Sequence, residues 1–463
     1  MDEFDPNRNE MRHGGDLKGV IDHLDYLQEL GITALWLNPV LENNGKNSYH
    51  GYKATDLYRI DPRFGSNEDY RELAKQAHAR GIKLIFDHIA NHIGIRHPWV
   101  KHRPTEDWFN GTVENHLSDK HYLLSVSDPH ADPSSRKELK SFWFVDSMPD
   151  LNQRDPRLAK YLIQNSIWWI EYAGLDGIRE DTYPYADQAF LSRWAKEIRA
   201  QYPEFNIVGE IWATKSSFIA QFQERSVLPR DFETNLPAVM DFPLMQSFRA
   251  FLDGSGKMRD IHATYSQDFL FSDPNNLLVF LDNHDSARGY FIAKKKEKRV
   301  KTCLAIMMLS RGIPQILYGT ELNMYGGESH VELRADFPGG FPHHKRSAFL
   351  KSGRTAEEQQ MFSYVQRLLE LRKQHPAVTS GKMIHYAPRW FQDVYRFVRI
   401  KDDDCIVVLA NGESDARKVE IGDMRHHFPK GKLKDAFTGE MIAEDSIEVP
   451  AVTARVFEVL SEE

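Results

Sequence analysis

The chain has 463 residues, more than one simple core accommodates, so two or three domains are expected. Hydrophobic residues make up 41% and charged residues 27%, ordinary values for a globular protein. A net charge of −8, from 59 basic and 67 acidic residues, argues against a nucleic-acid-binding surface and against a polyanionic substrate.

The N-terminal stretch MDEFDPNRNEMRHGGD has no apolar core and lacks the signature of a signal peptide. DLKGVIDHLDYLQELG then places Leu17, Val20, Ile21, Leu24, Leu27 and Leu30 three and four residues apart. That spacing predicts one amphipathic helix, with Gly31 as its stop. ITALWLNPV follows as a buried strand. SNEDYRELAKQAHARG predicts the next helix, capped by Ser66 and stopped by Gly81, and leads into the strand IKLIFDHIANH. Further strand candidates are AGLDGIRED, FNIVGEIW, PAVMDFP, NLLVFLDNHD and IPQILYGTE. Helical patterns such as LAKYLIQNSIWWIEYAG and RVKTCLAIMMLSRG separate most of them. No run of about 18 apolar residues occurs, so no membrane span is expected. Cys303 and Cys405 stand alone in separate apolar segments and read as two buried thiols, with no metal or redox spacing.

Near-continuous apolar strands bounded by helices indicate a parallel sheet. Asp87, Arg179, Asp181, Glu210, Asp282 and Asp285 all fall at the C-terminal ends of those strands. This distribution suits a (β/α)8 TIM barrel, whose active site lies at that face. A doubly wound sheet would bring a Gly-rich phosphate turn after an early strand, and none is present. The barrel reading leaves one gap. Seven strand candidates follow the first helix, whereas a barrel of this kind opens with a strand, and residues 1–16 are too polar to supply it. The expectation is a chain that lacks the first barrel strand and is truncated at its N-terminus.

Residues 93–152, rich in His, Trp, Asp and Pro, are too long for a loop and predict a small inserted domain over the site. From about residue 378 the helical pattern gives way to alternating segments, VYRFVRIKDDDCIVVLANG and SIEVPAVTARVFEVL, which predict an antiparallel β-sandwich. The expected organisation is barrel over 1–92, inserted domain over 93–152, barrel again over 153–377, and β-sandwich over 378–463.

Three acids end three different strands: Asp181 in GIREDTY, Glu210 in VGEIW and Asp285 in LDNHD. Glycoside hydrolysis requires two carboxylates flanking the scissile bond, and barrel strand ends can hold such a pair. Metal-assisted hydrolysis competes for the same acids. It calls for clustered ligands, yet His50, His92 and His284 follow different strands with no H-x-H pair. Nine Trp and eighteen Tyr offer core bulk or, on a cleft, stacking platforms for sugar rings. Within DGIREDTYPY, strand alternation puts Arg179 and Asp181 on one face and Glu180 on the other, toward the helical layer. A Glu180 there needs a partner, and a basic group on a neighbouring helix or loop is expected.

DHIANH, GIREDTY, VGEIW and FLDNHD resemble, in order and spacing, the four conserved regions of the α-amylase family, glycoside hydrolase family 13. MPDLN at 148–152 is similar to that family's fifth region in its neopullulanase, cyclomaltodextrinase and maltogenic amylase branch. SYHGY, DPRFGSNEDY, YGTE and RADFPGGF extend the resemblance, which covers residues 13–460. It implies a retaining α-glucan hydrolase with Asp181 as nucleophile, Glu210 as general acid/base and Asp285 as transition-state stabiliser. It further implies that Arg179 keeps Asp181 ionised and that His92 and His284 hydrogen-bond the reacting sugar. Tyr52 would stack on that sugar, Asp87 and Asn91 would orient the site, and His50 divides between loop packing and sugar contact.

The implied substrates are maltooligosaccharides, cyclodextrins, pullulan or starch, cleaved at α-1,4 links. Two alternatives use the same residues: a transglycosylase, and a non-catalytic glucan-binding or inactive form. No cofactor is needed for the chemistry. A structural Ca2+ is compatible with the resemblance: in many members the Asn of the first region, here Asn91, helps to ligate one, whereas in the neopullulanase-like branch one often binds near the N-terminal end of the barrel instead. Asp5, Asn7 and Asn9 read either as a remnant of that second site or, the stronger reading, as a solvated tail, and no ligand set is assigned. Asp150 stands where the branch commonly carries Lys, and a charge reversal near the entrance to the site is expected to change acceptor preference. The branch's N-terminal β-domain is not found in the sequence, which leaves the oligomeric state open.

Overall fold

The apolar spacing over residues 17–30 folds as two short helices, Leu17–Asp22 and Leu24–Leu30, where the sequence predicts one. The break is at His23, whose ring Nδ1 lies 2.7 Å from the Gly19 carbonyl, the group its own main chain would bond in a continuous helix. Gly31 closes the second helix in the left-handed region, at φ 101°, as its position predicts. Ser66 caps helix Asn67–Ala79 with a reciprocal capping box to Asp69, and Asp155 caps helix Pro156–Ala173. The computed structural model describes Asp5 and residues 11–45, 48–230, 232–327, 329–428 and 431–460. Asn7 and Asn9 lie outside the described residues.

Two units are distinguished: Met1–Ala213 with Ser217–Met240, and Thr214–Ser216 with Asp241–Glu463. In chain order the first contains β1 (Ala34–Trp36), β2 (Lys83–His88), β3 (Leu117–Ser118), β4 (Phe142–Trp143), β5 (Gly177–Glu180), β6 (Asn206–Gly209) and β7 (Ala238–Met240). β1, β2, β5, β6 and β7 pair in that order, all parallel. The second unit contains β8 (Leu277–Phe280) parallel to β9 (Ile313–Gln315). Each of the seven candidate barrel segments therefore carries a parallel strand, separated from the next by helices, the TIM-like pattern. Among the described residues no eighth strand joins this series.

β3 and β4 form a small parallel pair within 93–152, with Trp143 buried and its indole donating to the Asn110 carbonyl at 2.7 Å. Asp150 is 2% exposed. The expectation of a charge at the entrance is corrected: the side chain is turned inward and bonded to Asn110 Nδ2 at 2.7 Å.

In the second unit, β10 (Lys382–Tyr386), β11 (Val394–Lys401), β12 (Asp404–Asn411), β13 (Arg417–Glu420), β14 (Lys432–Asp435), β15 (Met441–Ile442), β16 (Ser446–Val449) and β17 (Thr453–Leu460) are antiparallel. One sheet runs β10-β11-β12-β17-β14-β15 and the other pairs β13 with β16. Val419, Ile447 and Val449 of the small sheet share a core with Val398, Val407, Leu409 and Phe457 of the large one, the packing of a sandwich. Cys303 and Cys405 are buried, and burial pushes the Cys405 thiol up to about 12. Among the described residues no helix is long and apolar enough to cross a membrane.

Candidate active site

Parallel strands bring the acids of the first unit together at the C-terminal ends of β2, β5 and β6. Arg179 near the end of β5 is 1% exposed, and its Nη1 reaches Asp87 Oδ1 at 2.9 Å and Asp181 Oδ1 at 2.7 Å. Its other terminal nitrogen lies 2.8 Å from Glu210 Oε2. One rigid guanidinium fork thus spans the two carboxylates, Asp181 and Glu210. Asp87 is braced in turn by the Tyr52 hydroxyl at 2.8 Å and the Trp36 indole at 3.0 Å. Both rings also lie against Arg179, with its guanidinium carbon 5.2 Å from Trp36 and 5.9 Å from Tyr52.

Main-chain bonds fix the acids as firmly as the side chains do. Asp181 N donates to the His88 carbonyl at 2.9 Å, and Glu210 N donates to the Glu180 carbonyl at 3.0 Å. Thr182 follows in the left-handed region, at φ 46°, which costs a β-branched residue on the order of 1–3 kcal/mol. That conformation aims Thr182 N–H at Glu210 Oε2 at 2.9 Å, while its hydroxyl donates to Asp181 Oδ2 at 3.1 Å. Gly209 keeps the approach open. A Cβ there would meet Leu236 at 2.7 Å and the Tyr183 ring at 3.1 Å.

Three buried carboxylates surround one guanidinium. Burial, reinforced by the charges of Glu210 and Asp87, raises the proton affinity of Asp181 well above the usual carboxylate range, and Arg179 opposes the rise. The same carboxylates hold Arg179 firmly in its charged form. At Asp181 the arrangement therefore sets burial and neighbouring acids, which favour the proton, against a permanent positive charge, which opposes it.

His92 is 3% exposed, and burial lowers its imidazole to about 4, so the ring is neutral near pH 7. Its Nε2 makes no hydrogen bond of normal geometry. The adjacent Asn91 Oδ1 is also buried without a hydrogen-bond partner. The Asn91 side chain bears on Asp150, whose carboxyl burial pushes well up. An orphan carbonyl oxygen beside a carboxylate that burial drives to protonate is the oxygen chemistry a hard cation satisfies, so the expected Ca2+ fits these residues. Among the described residues no cluster of three or more His, Cys, Asp or Glu forms a metal site. His50 stacks on Tyr52, with centroids 5.8 Å apart, and accepts the Tyr52 N–H at 3.0 Å.

Asp285 and His284 lie in the second unit, after β8. Asp285 Oδ1 pairs with Arg334 Nη2 at 2.8 Å, and Oδ2 lies 3.1 Å from His284 Nε2. Arg334 also donates to the His284 carbonyl at 3.0 Å, and Asn283 Oδ1 accepts Asp285 N at 3.0 Å, which locks the turn.

Glu180 has the basic partner expected, but on a strand: its carboxylate lies 2.5 Å from Nδ1 of His88 on the adjacent strand β2, while the Ala90 N–H in the following loop bonds its other oxygen. Sequence reasoning also passed over Trp36, Thr182 and Arg334. Trp36 was visible as the one indole in ITALWLNPV and Arg334 as the cation of RADFPGGF, but neither spacing shows a partner.

Residues 2–338 match the family model described as alpha amylase, catalytic domain, and residues 383–458 match the cyclo-malto-dextrinase C-terminal domain. The chain is 27% identical over 434 residues to a beta/alpha-amylase of Paenibacillus polymyxa, covering 91% of this chain and 32% of that protein. It is 26% identical over 459 residues to the intracellular maltogenic amylase of Bacillus subtilis strain 168, covering 99% of this chain and 71% of that one. Among solved structures it is similar to the α-amylase of Geobacillus thermoleovorans complexed with acarbose, at 27% identity and a TM-score of 0.82, covering 99% and 95% of the two chains.

Proposed function

The chain belongs to the α-amylase family, and from that premise we propose that it is a retaining α-glucan hydrolase acting on α-1,4 links of maltooligosaccharides, cyclodextrins, pullulan or starch. The single observation that carries the reading is the Arg179 guanidinium spanning Asp181 and Glu210. In a retaining pair the two carboxyl groups stand about 5–5.5 Å apart, one as nucleophile and one as acid/base. A shared guanidinium suits that spacing.

Asp181 attacks the anomeric carbon while Glu210 gives its proton to the glycosidic oxygen. The old C–O bond breaks, a new one to Asp181 Oδ forms, and the leaving sugar departs neutral. Glu210, now a carboxylate, takes a proton from water, which attacks the same carbon and frees Asp181. Arg179 and the Thr182 hydroxyl stabilise the Asp181 carboxylate before attack and after release, and Thr182 N–H holds the Glu210 carboxyl group in place through Oε2. Neutral His92 donates from Nε2 to a sugar hydroxyl, and Tyr52 offers its ring face. Asp285 takes the role of transition-state stabiliser, with His284 beside it, as the FLDNHD motif implies. Asp87 holds Arg179 and does not touch the reacting bond.

Asn91 and Asp150 would hold a structural Ca2+, with main-chain carbonyls and water completing its oxygen shell. It would neutralise Asp150 and fix the turn that carries His92, and it takes no part in bond cleavage. Added Ca2+ is expected to raise the melting temperature, and EDTA to lower it. Asp150→Asn should weaken the response, and an unchanged response removes these ligands.

Incubation with maltoheptaose, pullulan and γ-cyclodextrin, with products resolved by chromatography, tests the activity. Shorter maltooligosaccharides identify hydrolysis, and longer ones identify transfer. Binding without any product overturns the enzyme reading in favour of a glucan-binding protein.

A further inference from the structure

Glu180 stands between Arg179 and Asp181, is 1% exposed, and takes no part in the cluster its neighbours form. Its Oε1 accepts the Ala90 main-chain N–H at 2.9 Å, and its Oε2 meets His88 Nδ1 at 2.5 Å. Beyond the ring, His88 Nε2 lies 3.1 Å from Ser166 Oγ. That hydroxyl donates to the Leu162 carbonyl at 3.0 Å and accepts the Trp194 indole N–H at 2.9 Å. Ser166 has one proton, and the Leu162 carbonyl takes it, so the proton between His88 and Ser166 sits on Nε2. One further proton lies in the short contact between Nδ1 and Glu180. The imidazole is stacked on Trp194, with centroids 5.4 Å apart and 17° between planes.

The main chains of the same two residues hold the two acids: the His88 carbonyl accepts Asp181 N, and the Glu180 carbonyl accepts Glu210 N. Ala90, anchored by the Glu180 side chain, opens the turn bearing Asn91 and His92. Stability alone does not call for this pair, because apolar side chains of similar volume are often as stable in place of a buried charged or polar pair. Apolar side chains cannot, however, hold the Ala90 N–H.

We propose that the buried His88–Glu180 pair is a positioning device. Through the main chains of β2 and β5 it sets Asp181 and Glu210 relative to each other, and through Ala90 it pins the turn that presents His92. The inference rests on the reading of Asp181 and Glu210 as the reacting pair, and a misplacement of about 1 Å in such a pair is enough to cost on the order of a hundredfold in rate.

The test compares wild-type protein, Glu180→Gln and the double variant His88→Phe/Glu180→Leu. Thermal melting, hydrogen exchange over residues 88–92, and kcat and KM on maltoheptaose are measured for each. The double variant should stay folded with a lowered melting temperature from the unpaired Ala90 N–H, exchange about tenfold faster at Ala90, and lose kcat by about tenfold to a hundredfold with KM little changed. Glu180→Gln keeps an oxygen for Ala90 and gains an N–H for Nδ1, so it should recover slow exchange and most of kcat. A folded double variant with wild-type kcat and exchange overturns the proposal, and so does a Glu180→Gln loss as deep as the double variant's. If the double variant fails to fold, Glu180→Gln decides by the same criterion. The exchange readout is independent of turnover. Wild-type inactivity on every glucan therefore counts against the enzyme reading, while unchanged exchange in the double variant counts against the positioning pair.

Discussion

Asp181 and Asp285 are both strand-end acids, yet they are held in opposite ways. Asp181 has an 8% exposed side chain, and its cation, Arg179, comes from two positions back, with main-chain bonds to β2 and between β5 and the end of β6 around it. Asp285 has an 18% exposed side chain and takes its cation from Arg334, 49 positions further on, with His284 and a more distant His330 at its sides. The contrast shows two solutions to one problem. A deeply buried carboxylate cannot rely on water, so its partners are built into the sheet. A carboxylate that water reaches can use a side chain carried by a remote loop.

The comparison is broken most directly at Asp181. Asp181→Asn should cut kcat by about 10⁴-fold or more while glucan binding, read by calorimetry, persists. Next comes Glu210→Gln, with an expected loss of about 10²–10⁴-fold on maltoheptaose and a much smaller loss on an aryl glucoside whose leaving group needs no proton. Arg334→Leu removes a charged hydrogen bond from the more exposed acid, so kcat/KM should fall only about tenfold to a hundredfold. A loss equal to that of Glu210→Gln would show that the two regions are equally constrained, against the contrast drawn here. Stability in acid comes last, and catalysis is not involved in it. Burial holds His92 and His97 at about 4, below the ordinary value near 6.5, so between those limits the unfolded chain binds protons that the folded chain refuses. Stability is therefore full above about pH 6.5 and declines as pH falls toward about 4, by roughly 3 kcal/mol for each ring. His97→Asn should remove about half of this decline in a melting series from pH 7 to 4.5, and an unchanged slope would contradict the assignment.

The contrast also explains what the sequence displayed and what it withheld. Parallel strands buried on both faces announce themselves as apolar runs, and charges at their ends stand out against them, so Arg179, Asp181 and Glu210 were legible. Strand alternation likewise separated Glu180 from Arg179 and Asp181. Its partner was not legible, because His88 lies 92 positions away and becomes a neighbour only through strand pairing. Arg334 and Trp36 escaped for the same reason. The split of the first helix at His23 escaped for a different one: a side chain took a main-chain carbonyl, which apolar spacing does not reveal. Asp150 was visible as a departure from the family pattern, but one charge in a string of letters does not tell burial from exposure.

The central claim is that Asp181 becomes covalently bonded to the sugar. A fluorinated α-glucosyl substrate that slows the second step, followed by proteolysis and peptide mass spectrometry, tests it directly. The account predicts one added glycosyl mass on the peptide containing Asp181, absent in Asp181→Asn. A glycosyl mass on Glu210 or Asp285, or turnover of the same substrate with no adduct and an inverted product, would contradict it.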